Sequence, residues 1–313
     1  MDTRRLYSFV RVVDAGSITR AADLLHIAQP ALSQQMTALE ATFGQQLLSR
    51  SKQGVEPTEA GRALYRHARV ILRQVEQAHA EVEVLGRELA GGVSVGLAPY
   101  STVNALALPL LSAVRARYPR VLLHINENFG GVLSEALMTG RMDMALLYDS
   151  GPIRGVDFER LLIEELVVVA PGDVDLPGRP EDQVSMADLA DVPLLLPGPT
   201  HTIRRVIDQA FAQAATTANI VGEVESVALM ARAVRSGLGA TVLPLSVAER
   251  MIGGHDLQQR HVLPALTVQV SLGTASGQTL SRTAEAVREL LREVLRTYVS
   301  SRTPLAEGES PTA

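Results

Sequence analysis

"LLHIAQPALSQQMTALE", residues 24–40, carries leucines, alanines and a methionine at helical spacing, yet Pro30 stands in its middle. Proline lacks a backbone donor and clashes with the preceding turn, so the stretch does not read as one continuous helix. At the first position of a helix its missing N–H has no intrahelical partner to lose. Pro30 therefore reads as a start signal for a helix over 30–42. Leu32, Met36 and Leu39 form the apolar stripe of that helix. Pro30, Ser33, Gln34 and Thr37 lie on the opposite side, small or amide-bearing and uncharged.

Upstream, Leu6, Phe9, Val10 and Val13 follow the spacing of an amphipathic first helix. "DAGSI" ends it, and Thr19 is expected to cap a second helix bearing Ala21, Ala22, Leu24 and Leu25. "HIAQ" then turns the chain into the third helix. Two short helices joined by a tight turn, the second with a polar outward face, are the pattern of a helix-turn-helix. In that motif the second helix enters the major groove with its N-terminal residues on base edges. Glutamine pairs with adenine through two hydrogen bonds and serine reads less selectively. Gln29, Ser33 and Gln34 are the candidate base readers, with Pro30 and Thr37 on the same face. A polar face that merely meets solvent is the alternative. Downstream, "LLSRSKQGVEPT" has two extended pieces around a Lys-Gln-Gly turn, which reads as a small wing. Arg50 and Lys52 there are suited to phosphate contact, although a solvated loop would carry them equally well.

"PTEAGRALYRHARVILRQVEQAHAEVEVLGRELA" reads as a long helix with Thr58 as its N-cap. Leu64, Ala68, Ile71, Val75, Ala78, Val82, Leu85 and Leu89 alternate steps of four and three, the seam of a two-stranded coiled coil. At 1.5 Å per residue the helix would span about 45 Å. A homodimer is expected from this seam; packing on the chain's own body could also demand such a stripe.

The 313 residues, 46% apolar and 20% charged, suit an ordinary soluble globular protein of two or three domains. No apolar run reaches the length of a membrane span, and "MDTRRLYSF" is too amphipathic for a signal peptide, so a cytoplasmic protein without membrane partners is expected. The absence of cysteine excludes disulfides, thiolate catalysis and sulfur-based zinc sites. Residues 1–75 hold ten Arg and Lys against six Asp and Glu, whereas the remainder holds nineteen against twenty-eight. A basic head on an acidic body points to an anionic partner for the head.

From "GGVSVG" onward, short apolar strands alternate with helices: "VSVGLA", helix 103–117, "VLLHINE", helix 131–140, "MDMALLYD". After "LLIEELVVVAP" the pattern repeats with "VPLLLP", a helix from 202, "NIVGEVE", helix 226–236 and "GATVLP". The strand "LTVQVSLGT" and helix 280–298 complete it. Such alternation predicts parallel sheets with helices on both faces. The polar tail "SSRTPLAEGESPTA" is expected to be disordered.

This body carries no catalytic constellation in its sequence. "GLGATV" at 237–242 has glycines between a helix and the next strand, the reverse of a phosphate cradle, and reads as a structural turn. The histidines form no pair at ligand spacing, and neither a G-x-S-x-G elbow nor a P-loop occurs. No metal or cofactor is expected. Binding is more credible: "LAPYST" and "LLPGPTHTIRR" each end a strand and enter a helix, with hydroxyls and free N–H groups suited to an anion such as a carboxylate. Ligands in open α/β sheets settle beyond the carboxyl ends of the strands. The candidates are Ser101, Thr102, Thr200, His201, Thr202 and Arg204, with Ser226 as a further contributor. Ordinary helix capping is the competing job for each hydroxyl.

The stretch "SITRAADLLHIAQPALSQQMTALEATFGQQLLSRSKQGVEPTEAG" closely resembles the N-terminal domain of the LysR-type transcriptional regulators, with AA-x-x-L, QPALSQQ, LE, R and PTEAG in register. Within that family, "LHIAQPALSQQ", "YRHARVILRQVEQA", "VSVGLAP" and "SGLGATVLP" are most similar to the nitrogen assimilation control branch. Many members have Leu-Phe where this chain has Leu47 and Leu48, both read as core residues. The resemblance implies a multidomain fold: an all-α winged helix-turn-helix (1–58), a dimerisation linker helix (59–89) and an α/β effector domain (90–300), followed by the tail 301–313. The effector domain would have two Rossmann-like lobes of periplasmic-binding-protein type II form, lobe I at 90–162 and 265–300 and lobe II at 163–264.

The resemblance further implies a double-stranded DNA partner with an inverted-repeat operator, and homotetramers built as dimers of dimers. It implies activators that often repress their own genes, for which RNA polymerase is a candidate partner. Small-molecule effectors would bind between the lobes, near Ser101, Thr102, Thr202 and Ser226. An effector-independent regulator of nitrogen-metabolism genes is the alternative. From other classes, an α/β enzyme with a helical appendage lacks a catalytic set, and a solute-binding protein would leave the helix-turn-helix idle.

Overall fold

The computed structural model describes residues 2–51, 54–83, 89–101, 103–148, 151–174, 176–177, 182–252 and 257–301. They fall into two compact units, Met1–Ala90 with Met138–Arg141, and Gly91–Leu137 with Met142–Ala313.

In the first unit, α1 (Thr3–Ala15) begins on Asp2, whose carboxylate accepts from the Arg4 N–H at 2.9 Å, and ends on Gly16 in the left-handed conformation. That sharp exit restarts the chain early, so α2 (Ile18–Leu25) is capped by Ser17 and not by the expected Thr19, which lies inside the helix. The buried face of α2 is Ile18, Ala21 and Ala22, with Leu25 at its margin. Leu24 falls off that face and is 65% exposed, against expectation. α3 (Gln29–Phe43) starts one residue earlier than expected, with Pro30 at its second position, where an N–H would also lack a helical partner. Leu32, Met36 and Leu39 are buried against Leu6, Phe9, Val10, Val12, Ala21 and Ala22. Val13, expected in that stripe, packs at its edge while Val12 is fully enclosed.

β1 (Leu48–Ser51) and β2 (Gly54–Pro57) form the antiparallel wing, Leu48 opposite Pro57 and Ser51 opposite Gly54. α4 (Glu59–Glu83) is capped by Thr58, whose hydroxyl accepts from the Gly61 N–H at 3.0 Å. The expected seam divides along this helix. Leu64 and Ala68 are buried in the head's own core, and Tyr65 donates to Asp14 of α1, which Arg69 also meets at 3.4 Å. The first two seam positions therefore serve intramolecular packing, a correction to the uniform coiled-coil reading. Ala78 and Val82 are exposed, Leu85 lies outside the described residues, and Leu89 is beyond the helix.

The second unit runs β3 (Ala90–Leu97), α5 (Val103–Arg117), β4 (Arg120–Glu127), α6 (Gly130–Met138), β5 (Met144–Tyr148) and β6 (Val156–Pro171). It continues through β7 (Gln183–Ser185), β8 (Leu194–Leu196), α7 (Thr202–Gln213), β9 (Ile220–Glu223), α8 (Val227–Arg235) and β10 (Thr241–Pro244). α9 (Leu245–Ile252), β11 (Leu257–Ala275) and α10 (Arg282–Ser300) complete it. The first lobe buries Val93, Val95, Leu97, Leu106, Leu110, Leu146, Val287 and Leu291. The second buries Val167, Leu194, Leu196, Ile203, Ile207, Phe211, Met230 and Val242. Each such side chain contributes about 1.5–3 kcal/mol relative to exposure.

The sheet order is β10-β6-β11-β5-β3-β4, with β7 also on β11. β3 pairs β5 in parallel, and β8 pairs β9 in parallel. β6, β11, β5 and β10 pair antiparallel, so the sheet is mixed and the expectation of purely parallel sheets is corrected. The reason lies in the two longest strands. β6 leaves the first lobe, β11 returns to it, and the opposite chain directions make an antiparallel ladder with a register break between His261 and Leu266. α9 and β7 had no counterpart in the sequence pattern. No helix among the described residues is long and apolar enough to cross a membrane.

Candidate nucleic-acid interface and ligand cleft

The outward face of α3 is built as a small polar surface on an apolar anchor. Gln29, Pro30, Gln34 and Thr37 are exposed and Ser33 is half-buried. The Gln29 amide donates to the Ser33 hydroxyl at 3.4 Å, and the Thr37 hydroxyl donates to the Ser33 carbonyl at 3.1 Å. Ser33 is thus a junction within the face, while the two glutamines project from it. Lys52 and the side chain of Arg50 lie outside the described residues.

Sequence reasoning missed the residue that joins this helix to the wing. The Glu40 carboxylate accepts from the Leu47 N–H at 2.8 Å and the Leu48 N–H at 3.1 Å. A carboxylate in the last turn of a helix opposes the macrodipole, and that oddity was the available signal. Thr58 adds a hydroxyl donated to the Gln46 carbonyl at 2.7 Å and an N–H donated to the Leu47 carbonyl at 2.9 Å. A Cβ at Gly61 would sit 2.0 Å from the Leu47 oxygen, so only glycine fits there. The LE and PTEAG motifs are therefore the wing's attachment to α3.

In the second unit, the ends of β3, β4, β8 and β9 meet around two adjoining cavities that share Pro99 and Phe129. One, of about 360 Å³, is lined by Thr200, His201 and Thr202 together with Gly130, Ser134, Tyr148 and Arg205. The other, of about 630 Å³, is lined by Ser226 with Glu127, Glu225, Arg235 and Arg250. Ser226 also caps α8, accepting from the Leu229 N–H at 3.3 Å. Ser101 is buried, lines neither cavity, and offers its carbonyl to Arg250 at 3.4 Å. Thr102 lies outside the described residues.

Arg204 departs from the sequence expectation. It lines neither cavity and is buried, paired with Asp208 at 2.8 Å and Glu223 at 3.0 Å, and it donates to the Pro197 carbonyl at 3.0 Å. Successive helical residues project about 100° apart, so the next residue, Arg205, faces the smaller cavity, where it donates to the Thr202 hydroxyl at 3.3 Å. The "GLGATV" glycines are structural as read: Gly239 has φ 157°, and a Cβ there would lie 2.6 Å from the Pro193 carbonyl.

His201 occupies the N-cap of α7 but makes no cap bond with its side chain. Its ring stands edge-on to Tyr100 and Phe129, with centroids at 5.6 and 5.3 Å. Burial lowers its pKa to about 4, so the imidazole is neutral near pH 7. Tyr100 is held in the left-handed region at φ 56°, and its hydroxyl donates to the Val224 carbonyl at 2.7 Å. The buried Tyr148 shares its hydroxyl between the Tyr100 carbonyl at 2.6 Å and the Glu164 carboxylate at 2.8 Å. Glu164 in turn accepts from Ser246 at 3.0 Å. Burial raises the pKa of both phenols, so they act as neutral donors.

Residues 3–62 match the bacterial regulatory helix-turn-helix protein, lysR family, and residues 86–296 match the LysR substrate binding domain. The chain is 44% identical over 300 residues to the nitrogen assimilation regulatory protein nac of Escherichia coli (strain K12), covering 96% of this chain and 97% of that one. Its namesake in Klebsiella aerogenes is 44% identical over 292 residues, covering 93% and 94%. Among solved structures, a full-length OxyR variant from Pseudomonas aeruginosa is similar with a TM-score of 0.73 at 26% identity, covering 95% of both chains. With a helix-turn-helix head that carries a wing, and a separate domain of the ligand-binding type, the chain belongs to the LysR family of DNA-binding transcriptional regulators and is not an enzyme.

Proposed function

We propose that this regulator reads an inverted-repeat operator as a homodimer through Gln29, Ser33 and Gln34, with Pro30 and Thr37 beside them and Arg50 and Lys52 on phosphates, and that a small anion held between its two lobes tunes it. One observation carries the DNA-reading part: an exposed, uncharged polar face on α3 is fixed by the fully buried Leu32, Met36 and Leu39. Exposed Ala78 and Val82 on α4 support pairing through the later part of the seam. Leu108, Leu111 and Leu122 on one lobe and Val221, Leu229 and Leu238 on the other are also exposed. Their exposure leaves apolar surface for a second self-association, and the homotetramer follows the family resemblance. For the effector, Thr200, His201 and Thr202 line the cavity beside α7 and Ser226 lines its neighbour; Ser101 lies just before α5, and Thr102 is kept on the sequence reading alone. Arg204 is not retained in this set.

The likeness to the nac proteins favours genes of nitrogen assimilation as targets. Action as an activator and autoregulator, with RNA polymerase as a partner in the cytoplasm, follows the family resemblance.

Binding sites selected from fragmented genomic DNA, followed by footprinting of variants, test the reading. Gln29→Ala should relax preference at particular operator positions by about 1–3 kcal/mol. Lys52→Ala should weaken all DNA alike and flatten the salt dependence by about one unit. A uniform loss in Gln29→Ala would remove it from base reading, and an unchanged slope in Lys52→Ala would remove the wing from the phosphates.

A further inference from the structure

The larger cavity, of about 630 Å³, carries both signs of charge on its wall. Glu127 ends β4 and Glu225 precedes α8, while Arg235 and Arg250 stand in the last turns of α8 and α9. All four are exposed residues that line the space. Ala228, Ala231 and Arg235 recur at i, i+3 and i+7, so one face of α8 presents two small side chains and a guanidinium to it. A backbone carbonyl steadies each guanidinium: Arg235 donates to the Met251 oxygen at 3.2 Å and Arg250 to the Ser101 oxygen at 3.4 Å. Those bonds leave most of the donors of each group for a ligand. Among the described residues neither arginine has a carboxylate partner, and Glu225 has no cation. The Glu225 carboxylate rests in space that a Cβ at Gly198 would fill.

We propose that this cavity takes an acidic amino acid, its carboxylates meeting Arg235 and Arg250 and its ammonium meeting Glu225. This rests on the reading that the lobes enclose an anionic effector, and it adds the ligand's chemical class. Glu225 pairs with neither guanidinium, so both signs of charge are left to a ligand that carries both. A plain dicarboxylate would meet the two arginines but lie beside Glu225 with no cation between them. A plain amine would meet Glu225 and leave the arginines facing it. An amino acid with two carboxylates satisfies all three groups and remains an anion overall. Its short aliphatic chain suits the wall formed by Phe129, Val227 and Ala228, none of which is buried. The volume lies within the range of small-molecule sites, about 300–1,000 Å³.

Matched pairs test this on the full chain by titration calorimetry and thermal melts: aspartate against succinate, and glutamate against glutarate. The amino acid should bind and raise the melting temperature, with the diacid that lacks the amine at least about tenfold weaker. Glu225→Gln should weaken the amino acid about tenfold, to the level of its diacid, and leave the diacid unchanged or tighter. Arg235→Gln and Arg250→Gln should each weaken amino acid and diacid alike. A diacid that binds as tightly as its amino acid, or a preference that survives Glu225→Gln, would overturn the ligand class while leaving the cleft as the effector site. No heat or shift from any of the four acids, or binding indifferent to both arginine substitutions, would overturn the site itself.

Discussion

Tyr100 and Val224 join the two lobes directly: the Tyr100 hydroxyl donates to the Val224 carbonyl at 2.7 Å, from a loop after β3 to the residue just beyond β9. Tyr100 adopts a left-handed backbone, an arrangement that costs a non-glycine residue about 1–3 kcal/mol. Its own carbonyl is held by Tyr148, and its ring is packed into the core of the second lobe. Tyr100→Phe keeps the ring and removes the bond, leaving the Val224 oxygen short of a donor. The expected loss is about 1–2 kcal/mol in urea unfolding, with operator affinity of the head unchanged. A variant as stable as the parent would mean that the hydroxyl contributes nothing to holding the lobes.

Glu40 holds α3, the proposed reading helix, to the wing, so its removal should affect DNA binding without touching DNA. Glu40→Ala strands the N–H groups of Leu47 and Leu48, whereas Glu40→Gln keeps an acceptor in place. Each charge-assisted bond is worth about 1.5–3 kcal/mol. Stability and operator affinity should both fall in Glu40→Ala and be largely restored in Glu40→Gln, measured by urea unfolding and fluorescence anisotropy. Equal losses in the two variants would point to the charge itself rather than to the attachment.

The contrast between Glu40 and Gln34 shows what was legible in the sequence. Helical periodicity around Pro30 exposed the polar face of α3, because a buried stripe and a solvated stripe differ in composition. Strand and helix alternation likewise marked the elements of the effector domain other than β7 and α9. Strand direction was not legible, since "LLIEELVVVAP" and "LTVQVSLGT" read as apolar runs whichever way they pair. The seam on α4 was legible as apolar, yet Leu64 and Ala68 turned out to face α1 and the head core, because one stripe serves equally well inside a chain and between chains. In the cleft, the loop at 200–202 was found from its position before a helix. Arg204 and Arg205 could not be told apart without the helix phase, and Ser134 carried no local signal because its place on the cavity wall arises only in the packed lobe.

Arg204 is the test of that distinction. Its guanidinium is buried; desolvation is the largest single influence and lowers its pKa, but the hydrogen bonds and charges of Asp208 and Glu223 together raise it. Arg204→Met leaves Asp208, Glu223 and the Pro197 carbonyl without this donor. With both carboxylates half-exposed, the loss should be about 1–3 kcal/mol, below that of a fully enclosed pair. Ligand selectivity in calorimetry should stay as in the parent. A change in selectivity with unchanged stability would return Arg204 to the ligand site.

His201 makes stability depend on acidity through burial. In the folded protein its pKa is lowered to about 4, against an ordinary value of 6.5. Between those values the unfolded chain holds the extra proton, so protonation favours unfolding. The contribution is therefore complete above pH 6.5 and is lost progressively as the pH falls toward about 4. Going from about pH 7 to about pH 4.5, it should remove about 2–3 kcal/mol. His201→Gln carries no titrating group, so its stability should fall less by that amount over the same interval, whatever its absolute value at neutral pH. Urea unfolding of both proteins at the two pH values measures the difference directly. Parallel losses in parent and variant would assign the acid sensitivity to other groups, and would mean that the imidazole is not held neutral by its surroundings.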